Sequence, residues 1–125
     1  MKTNFKKFTA AVVAATTLAA GMVGMSANAT EGTRSFSPSS TATLSVSSTA
    51  VNAYTSCTKT CSVVTAKITS TTGATITSGN TVAASYNDKN AHANGKGNGF
   101  TGATSSHSVT ILNGSSGSTT MDVRR

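Results

Sequence analysis

Three side chains that could transfer protons or bind a metal lie in or next to a glycine-rich stretch of the chain, namely Asp88, His92 and His107. Imidazole and carboxylate groups serve as acid–base catalysts and as ligands of ions such as Zn²⁺. The spacing of these residues matches no motif with a defined mechanism. We therefore treat them as a candidate loop site, with two solvated loop histidines as the alternative.

The other groups that hydrolytic enzymes need are sparse and scattered. Such catalysis requires a paired acid and base, or a nucleophile beside a base. After residue 29 the acidic residues are Glu31, Asp88 and Asp122, which lie far apart in the sequence. Lys96 stands between glycines but lacks the strand-to-helix context of a phosphate-binding loop. We therefore expect a protein that is not an enzyme and that uses no cofactor and no metal.

Cys57 and Cys61 are the two cysteines of the chain. In an exported protein such a pair normally forms one disulfide. In a straight strand, Cα atoms four residues apart are separated by about 13 Å, whereas a disulfide needs roughly 4.4 to 6.8 Å. The segment must therefore turn. We expect a hairpin with residues 58–60 as its loop, and a single helical turn is the alternative.

The first 29 residues have the layout of a signal peptide. Three lysines precede an uncharged run from Phe8 to Met25 that is rich in Ala and Val. Ala27 and Ala29 place small side chains where signal peptidase requires them, which predicts cleavage between Ala29 and Thr30. Threonines and glycines interrupt the apolar run, and no cysteine stands at the cleavage point. We therefore expect a secreted protein without a transmembrane or lipid anchor.

Removal of this leader would leave residues 30–125, with seven Lys or Arg, three Asp or Glu and a net charge of +4. The cations are scattered, and only Arg124 and Arg125 are adjacent. Nucleic-acid-binding proteins cluster their cations and interleave aromatic side chains, so we expect no nucleic-acid partner. A cell wall, an anionic membrane surface or another protein stay open as partners, because positive charge favours encounter with anionic surfaces without defining a site.

Apolar residues at every second position predict an all-β fold. Of the 96 residues from 30 to 125, 38 are Thr or Ser, and Thr favours strands. Turn signals roughly every 8 to 12 residues predict a small antiparallel sandwich or meander of five to seven short strands. The dipeptide Asn113-Gly114 predicts a hairpin, and Tyr86 is expected in the core. The alternating sets are Leu44 and Val46; Val51 and Ala53; Val64, Ala66 and Ile68; Val82, Ala84 and Tyr86; Val109 and Ile111; and Met121 and Val123.

The expected organisation is a signal peptide at 1–29, a flexible N-terminal arm at 30–40 and a single small β-rich domain at 41–125. The arm contains Pro38 and shows no periodicity. Residues 87–106 are rich in Gly and Asn, with Phe100 as their one large apolar side chain, which predicts a flexible loop within the domain. The core is expected to be thin, and exposed strand edges then favour self-association.

Two functional hypotheses follow from these features. The first is a small secreted, non-enzymatic protein that interacts with a cell surface or with extracellular molecules. The second is a secreted antibacterial or toxin-like protein, suggested by small size and positive charge. In layout, a leader followed by a short β chain, the sequence resembles small β-structured bacteriocins of the lactococcin 972 type. This resemblance implies a bacterial origin and an antibacterial activity, although those bacteriocins look richer in aromatic residues and lack the cysteine pair.

Overall fold

A computed structural model describes residues 30–112 and 114–125 of the chain. In these two ranges the chain forms six antiparallel strands and no helix, which confirms the all-β prediction. They are β1 (Thr30–Phe36), β2 (Ser40–Val46), β3 (Ala50–Thr72), β4 (Val82–Lys96), β5 (Gly102–Ile111) and β6 (Ser116–Arg124). Nowhere in the two ranges does a helix form that is long and apolar enough to cross a membrane.

The predicted leader lies outside the described residues, and so do Ala27 and Ala29 of its cleavage site. Thr30, the residue expected to follow the cleaved bond, is the first described residue and the first residue of β1. Cleavage between Ala29 and Thr30 therefore stays a prediction from the sequence.

The six strands form one antiparallel sheet that is organised around β3. Backbone pairing gives the order β1-β2-β3-β5-β6, and β4 pairs with the other edge of β3. Residues 51–57 of β3 pair with β2, and residues 61–72 pair with β5. The sheet curls until β1 contacts β6. The Arg34 guanidinium crosses this junction and donates a hydrogen bond of 3.3 Å to the carbonyl of Thr120, so the sheet is nearly closed.

The segment between the two cysteines is a bulge in β3 rather than a hairpin or a helical turn. In the pairing of β3 with β4, Ser56 lies opposite Asn90 and Cys61 lies opposite Asp88, so residues 57–60 face the single residue Lys89. The surplus residues shorten the segment, because a bulge bends the strand that carries it. The Cα atoms of Cys57 and Cys61 are 6.8 Å apart and the two cysteines form the predicted disulfide. The predicted pair is confirmed, whereas the predicted hairpin is wrong.

The segment at 30–40, expected to be a flexible arm, contains strand β1, a turn at 37–39 and the first residue of β2. β1 pairs with β2 over its whole length. Its inward positions include Gly32, where an added Cβ would lie 3.2 Å from both Met121 Cε and Val123 Cγ2. The positions of β1 that share the phase of Gly32 are Thr30, Arg34 and Phe36, and among them only Phe36 is a large apolar residue packed against the core. The strand therefore shows no apolar period, and the prediction of an arm was wrong.

Most of the segment at 87–106, expected to be a flexible loop, belongs to β4 and β5. Ala91, Ala93 and Gly95 alternate along β4 and are buried. A Cβ on Gly95 would lie 2.6 Å from the Cδ1 atom of Ile76, so only glycine leaves room for that side chain. Phe100 lies in the segment that connects β4 to β5, and its side chain is fully buried. The small residues Ala91, Ala93 and Gly95 thus occupy core positions, which their Gly- and Asn-rich surroundings did not indicate. The prediction of a flexible loop was wrong.

The core occupies the inner side of the curled sheet. Its largest fully buried apolar side chains are Leu44, Val46, Val51, Val64, Phe100 and Val109. Val82 and Tyr86, expected to face inward, are 55% and 70% exposed. Ala83 and Ser85 lie opposite Ala66 and Val64, whose side chains are buried, so they carry the inward face of β4 instead. The prediction that Tyr86 lies in the core is wrong, because the phase of β4 is set by its pairing with β3.

The hairpin predicted at Asn113-Gly114 connects β5 and β6, in which Thr110 pairs with Ser116. Gly114 has φ of 95°, a value that favours glycine, and its N–H donates to the carbonyl of Ile111 at 2.9 Å. Asn113 itself lies outside the described residues. The predicted connection is therefore confirmed.

Replacing both cysteines by serine tests the contribution of the bulge disulfide. We expect the free energy of unfolding to fall by about 1 to 2 kcal/mol, because the closed loop is short and removes little entropy from the unfolded chain. Urea denaturation followed by circular dichroism measures this value. The matched control, Thr58→Ser with Thr60→Ser, changes the same bulge without touching the disulfide. Equal stability of the wild-type protein and the cysteine variant would contradict the prediction.

Candidate functional site

The structure does not assemble the loop site expected from the sequence. His107 is fully buried among the inward residues of β5, whereas His92 lies on the outer side of β4. Asp88 is exposed, and its Oδ1 atom accepts a hydrogen bond of 2.6 Å from the N–H of Lys89. Within the described ranges, no group of three or more His, Cys, Asp or Glu side chains is placed to hold a metal ion.

His107 is held inside the core by two hydroxyl groups. Its Nδ1 atom lies 2.8 Å from Thr55 Oγ1 and its Nε2 atom lies 2.7 Å from Ser105 Oγ. The Thr55 hydroxyl donates to the carbonyl of Thr65 at 2.7 Å. Thr55 Oγ1 therefore accepts the Nδ1 proton, and Nε2 accepts the proton of Ser105. Both ring nitrogens are satisfied in the neutral form.

This arrangement gives His107 a structural role. Burial lowers the pKa of His107 from 6.5 to about 4, because the charged ring would be separated from water. Ser105 is 1% exposed, so the Ser–His pair is closed to a substrate. The network instead connects β5 to both halves of β3, since Thr55 and Thr65 lie on opposite sides of the cysteine bulge.

His92 belongs to a second polar group, the amide–aromatic cluster formed by Asn52, Tyr54, Asn90 and His92. His92 Nε2 lies 3.0 Å from Asn52 Oδ1, and its ring packs edge to face against Tyr54 with centroids 6.0 Å apart. The Tyr54 hydroxyl donates to Asn90 Oδ1 at 2.7 Å. Burial lowers the pKa of His92. The pKa of Tyr54 is raised, mainly by burial and to a smaller extent by the negative charge of Asp88. These side chains bind one another.

An array of hydroxyl groups covers the outer side of the sheet formed by the second half of β3, β5 and β6. We call it the hydroxyl face. It arises because these residues alternate with the buried ones, so they point away from the core. Its members are Thr65, Thr69, Thr104, Ser106, Ser108, Ser118 and Thr120.

Strand register arranges the hydroxyl face in rows. Thr65 lies opposite Ser108, which lies opposite Ser118, and Ser106 lies opposite Thr120 in the next row. Neighbouring hydroxyls are about 4.8 Å apart across strands and about 7 Å apart along them. Some are already paired, since the Oγ1 atoms of Thr69 and Thr104 lie 2.6 Å apart. The hydroxyls of Ser106, Ser118 and Thr120 have no hydrogen-bond partner in the described part of the chain and can bind a ligand.

One end of the hydroxyl face opens into a depression of about 460 Å³ at the junction of β1 and β6. Thr69, Thr104 and Thr120 contribute hydroxyl-bearing side chains to its wall, together with the guanidinium of Arg34 and the carboxylate of Asp122. Asp122 also pairs with Arg124, whose Nε lies 3.0 Å from Asp122 Oδ1. The depression therefore offers hydroxyl groups that donate and accept hydrogen bonds, one positively charged side chain and one negatively charged side chain.

The other end of the hydroxyl face carries an exposed aromatic ring. Tyr86 is 70% exposed and lies on the same side of the sheet as Val63, its partner in β3. Lys67 is exposed in the row of Ser106 and Thr120. An aromatic ring, a cation and a grid of hydroxyls thus share one surface.

Comparison with models of protein families, with curated proteins and with solved structures finds no match for this chain. The functional argument consequently depends on the geometry of the surface. Sequence reasoning missed the hydroxyl face because it used strand alternation to find the buried residues, although the same alternation defines the outward ones.

Stability should depend on pH through His107. In the unfolded chain its pKa is about 6.5, whereas burial lowers the folded pKa to about 4. The unfolded state therefore binds more protons, and the free energy of unfolding should fall by about 3 kcal/mol from pH 7 to pH 4. Glu31, whose pKa is raised by burial, acts in the opposite direction.

The difference between variants isolates the contribution of His107. Urea denaturation of His107→Gln should show a lower stability at pH 7 but a loss towards pH 4 that is smaller by about 3 kcal/mol. The control His92→Gln should retain most of the wild-type loss. Parallel pH profiles for wild type and His107→Gln would show that the histidine is not buried in the neutral form.

Proposed function

We propose that the protein is a small secreted, non-enzymatic interaction domain that binds polysaccharide at a cell surface. The observation that carries the proposal is the hydroxyl face with its depression at the junction of β1 and β6. This surface presents many hydrogen-bonding groups on a rigid sheet, where their spacing is fixed by strand register. Rigid, preorganised groups lose little entropy when a ligand binds.

The chemistry of the face fits a polyhydroxylated ligand. Hydroxyls such as those of Ser106 and Thr120 both donate and accept hydrogen bonds, as sugar hydroxyls do. Arg34 and Asp122 add charged groups to the depression, and hydrogen bonds to charged groups are the stronger ones. The exposed ring of Tyr86 offers an apolar surface for the aliphatic face of a sugar ring.

A protein ligand fits the hydroxyl face less well. The centres of protein–protein interfaces are enriched in aromatic residues and Met and are depleted of Ser. Here the central row consists of Ser106 and Thr120 beside Lys67, and the large apolar side chains Val82 and Tyr86 stand at the margin.

Removing two unpaired hydroxyls tests this proposal. Ser106→Ala with Thr120→Val keeps both side chains compatible with a strand but deletes the central row of donors and acceptors. We expect at least a tenfold loss of affinity for wall polysaccharide isolated from the producing cells, about 1.4 kcal/mol. Isothermal titration calorimetry or co-sedimentation with the insoluble polymer measures it.

The matched control removes the same two groups elsewhere on the surface. Thr60→Val with Ser78→Ala alters an exposed Thr in the bulge and an exposed Ser before β4, and should bind like wild type. Equal losses in both variants, or no retention of the wild type, would refute the proposal. Killing of related bacteria at micromolar concentration without polysaccharide binding would instead support the antibacterial hypothesis.

A further inference from the structure

We propose that β4 is a self-complementary edge through which two copies of the chain pair as a weak antiparallel dimer. The inference is independent of the polysaccharide-binding proposal, because it concerns backbone groups at the margin of the sheet. It starts from the pairing of β4, whose residues 82–90 have a strand neighbour, β3, on one side only.

The direction of the unpaired backbone groups follows from one hydrogen bond. The N–H of Ile68 donates to the carbonyl of Thr81 at 2.9 Å, so Thr81 faces β3. Backbone groups alternate between the two edges of an antiparallel strand. The N–H and C=O groups of Val82, Ala84 and Tyr86 consequently point to the open edge. Among the described residues they have no backbone partner on that side.

Over residues 82–86 this edge lacks the features that normally prevent strand pairing, and Lys89 lies beyond that stretch. Exposed edges are usually interrupted by Lys, by Pro or by a bulge. Residues 82–86 read VAASY, without a charge or a proline. The extended segment ends at Asn87, which has φ of 53°. By contrast, β1 and β6 contact each other, and the far end of β4 bonds through Asn94 and Lys96 to Asn80 and Ser78. Residues 82–86 of β4 are therefore the open stretch of edge in the described sheet.

A two-fold axis at Ala84 makes the edge complementary to itself. In that register Ala84 pairs with Ala84 of the second copy, and Val82 pairs with Tyr86 at both ends. The three unpaired residues of each copy then form about six backbone hydrogen bonds. Aliphatic–aromatic pairs across strands are favourable, and both side chains are largely exposed in the single chain. Asp88 faces Asn80 in this register, so no like charges meet.

The length of the edge limits the strength of the dimer. Stable interfaces bury about 1,200 to 2,000 Å², which is more than a pairing of five residues per copy supplies. We therefore expect a dissociation constant of about 10 μM to 1 mM. An isologous contact uses the edge of both copies, so association stops at the dimer. The hydroxyl faces of the two copies become one continuous surface.

Sedimentation equilibrium from about 10 μM to about 1 mM tests the proposal on the purified oxidised protein. Wild type should change from monomer to dimer within this range, which matches the expected affinity. Ala84→Lys places a charge at the two-fold axis and should weaken dimerisation at least tenfold. The control Ser118→Lys adds the same charge to an exposed position of β6 and should dimerise like wild type.

Amide hydrogen exchange identifies the edge directly. The amides of Val82, Ala84 and Tyr86 have no backbone acceptor among residues 30–112 and 114–125, so their exchange should slow as the protein concentration rises. Those of Ala83 and Ser85, which face β3, should be protected at every concentration. A wild type that stays monomeric at 1 mM overturns the proposal, as does a dimer whose three edge amides exchange at the same rate at all concentrations. Polysaccharide binding by a monomer would leave the proposed function intact.

Discussion

Backbone pairing along β3 is the interaction on which the rest of the structure depends. This strand of 23 residues pairs with β4 along one edge and with β2 and then β5 along the other. Along this second edge, the strand that pairs with β3 changes from β2 to β5 at the cysteine bulge. Because the bulge bends β3, the strands paired with its two halves curl towards each other, and the core forms between them.

The core formed in this way is small and contains polar groups. His107 is fully buried, but its ring nitrogens bind Thr55 and Ser105, so the energetic cost of an unpaired polar group is avoided. Thr55 also binds the carbonyl of Thr65 across the bulge. The buried network thus joins the two halves of β3. A chain rich in Thr and Ser can consequently fold with few large apolar residues, and its remaining hydroxyls form the outer face.

The sequence predicts those features that depend on large or chemically distinctive residues. Alternating aliphatic residues located the strand through Val64, Ala66 and Ile68, the cysteine spacing required a bend, and Asn113-Gly114 marked a hairpin. β1 was missed because Phe36 is its one large apolar residue in the inward phase, and the second half of β4 was missed because its inward positions are Ala91, Ala93 and Gly95. The exposure of Tyr86 and the arrangement of the hydroxyl face depend on strand register, which pairing between distant segments determines.

The most direct test of this account is the set of interstrand nuclear Overhauser effects from Thr65 of β3. The account predicts short proton–proton distances from Thr65 to both Ala84 of β4 and Ser108 of β5, because β3 lies between these strands. A tight hairpin at the cysteines would instead bring Ser56 opposite Ser62. Cross-peaks between Ser56 and Ser62, with none from Thr65 to Ala84, would contradict the continuous central strand.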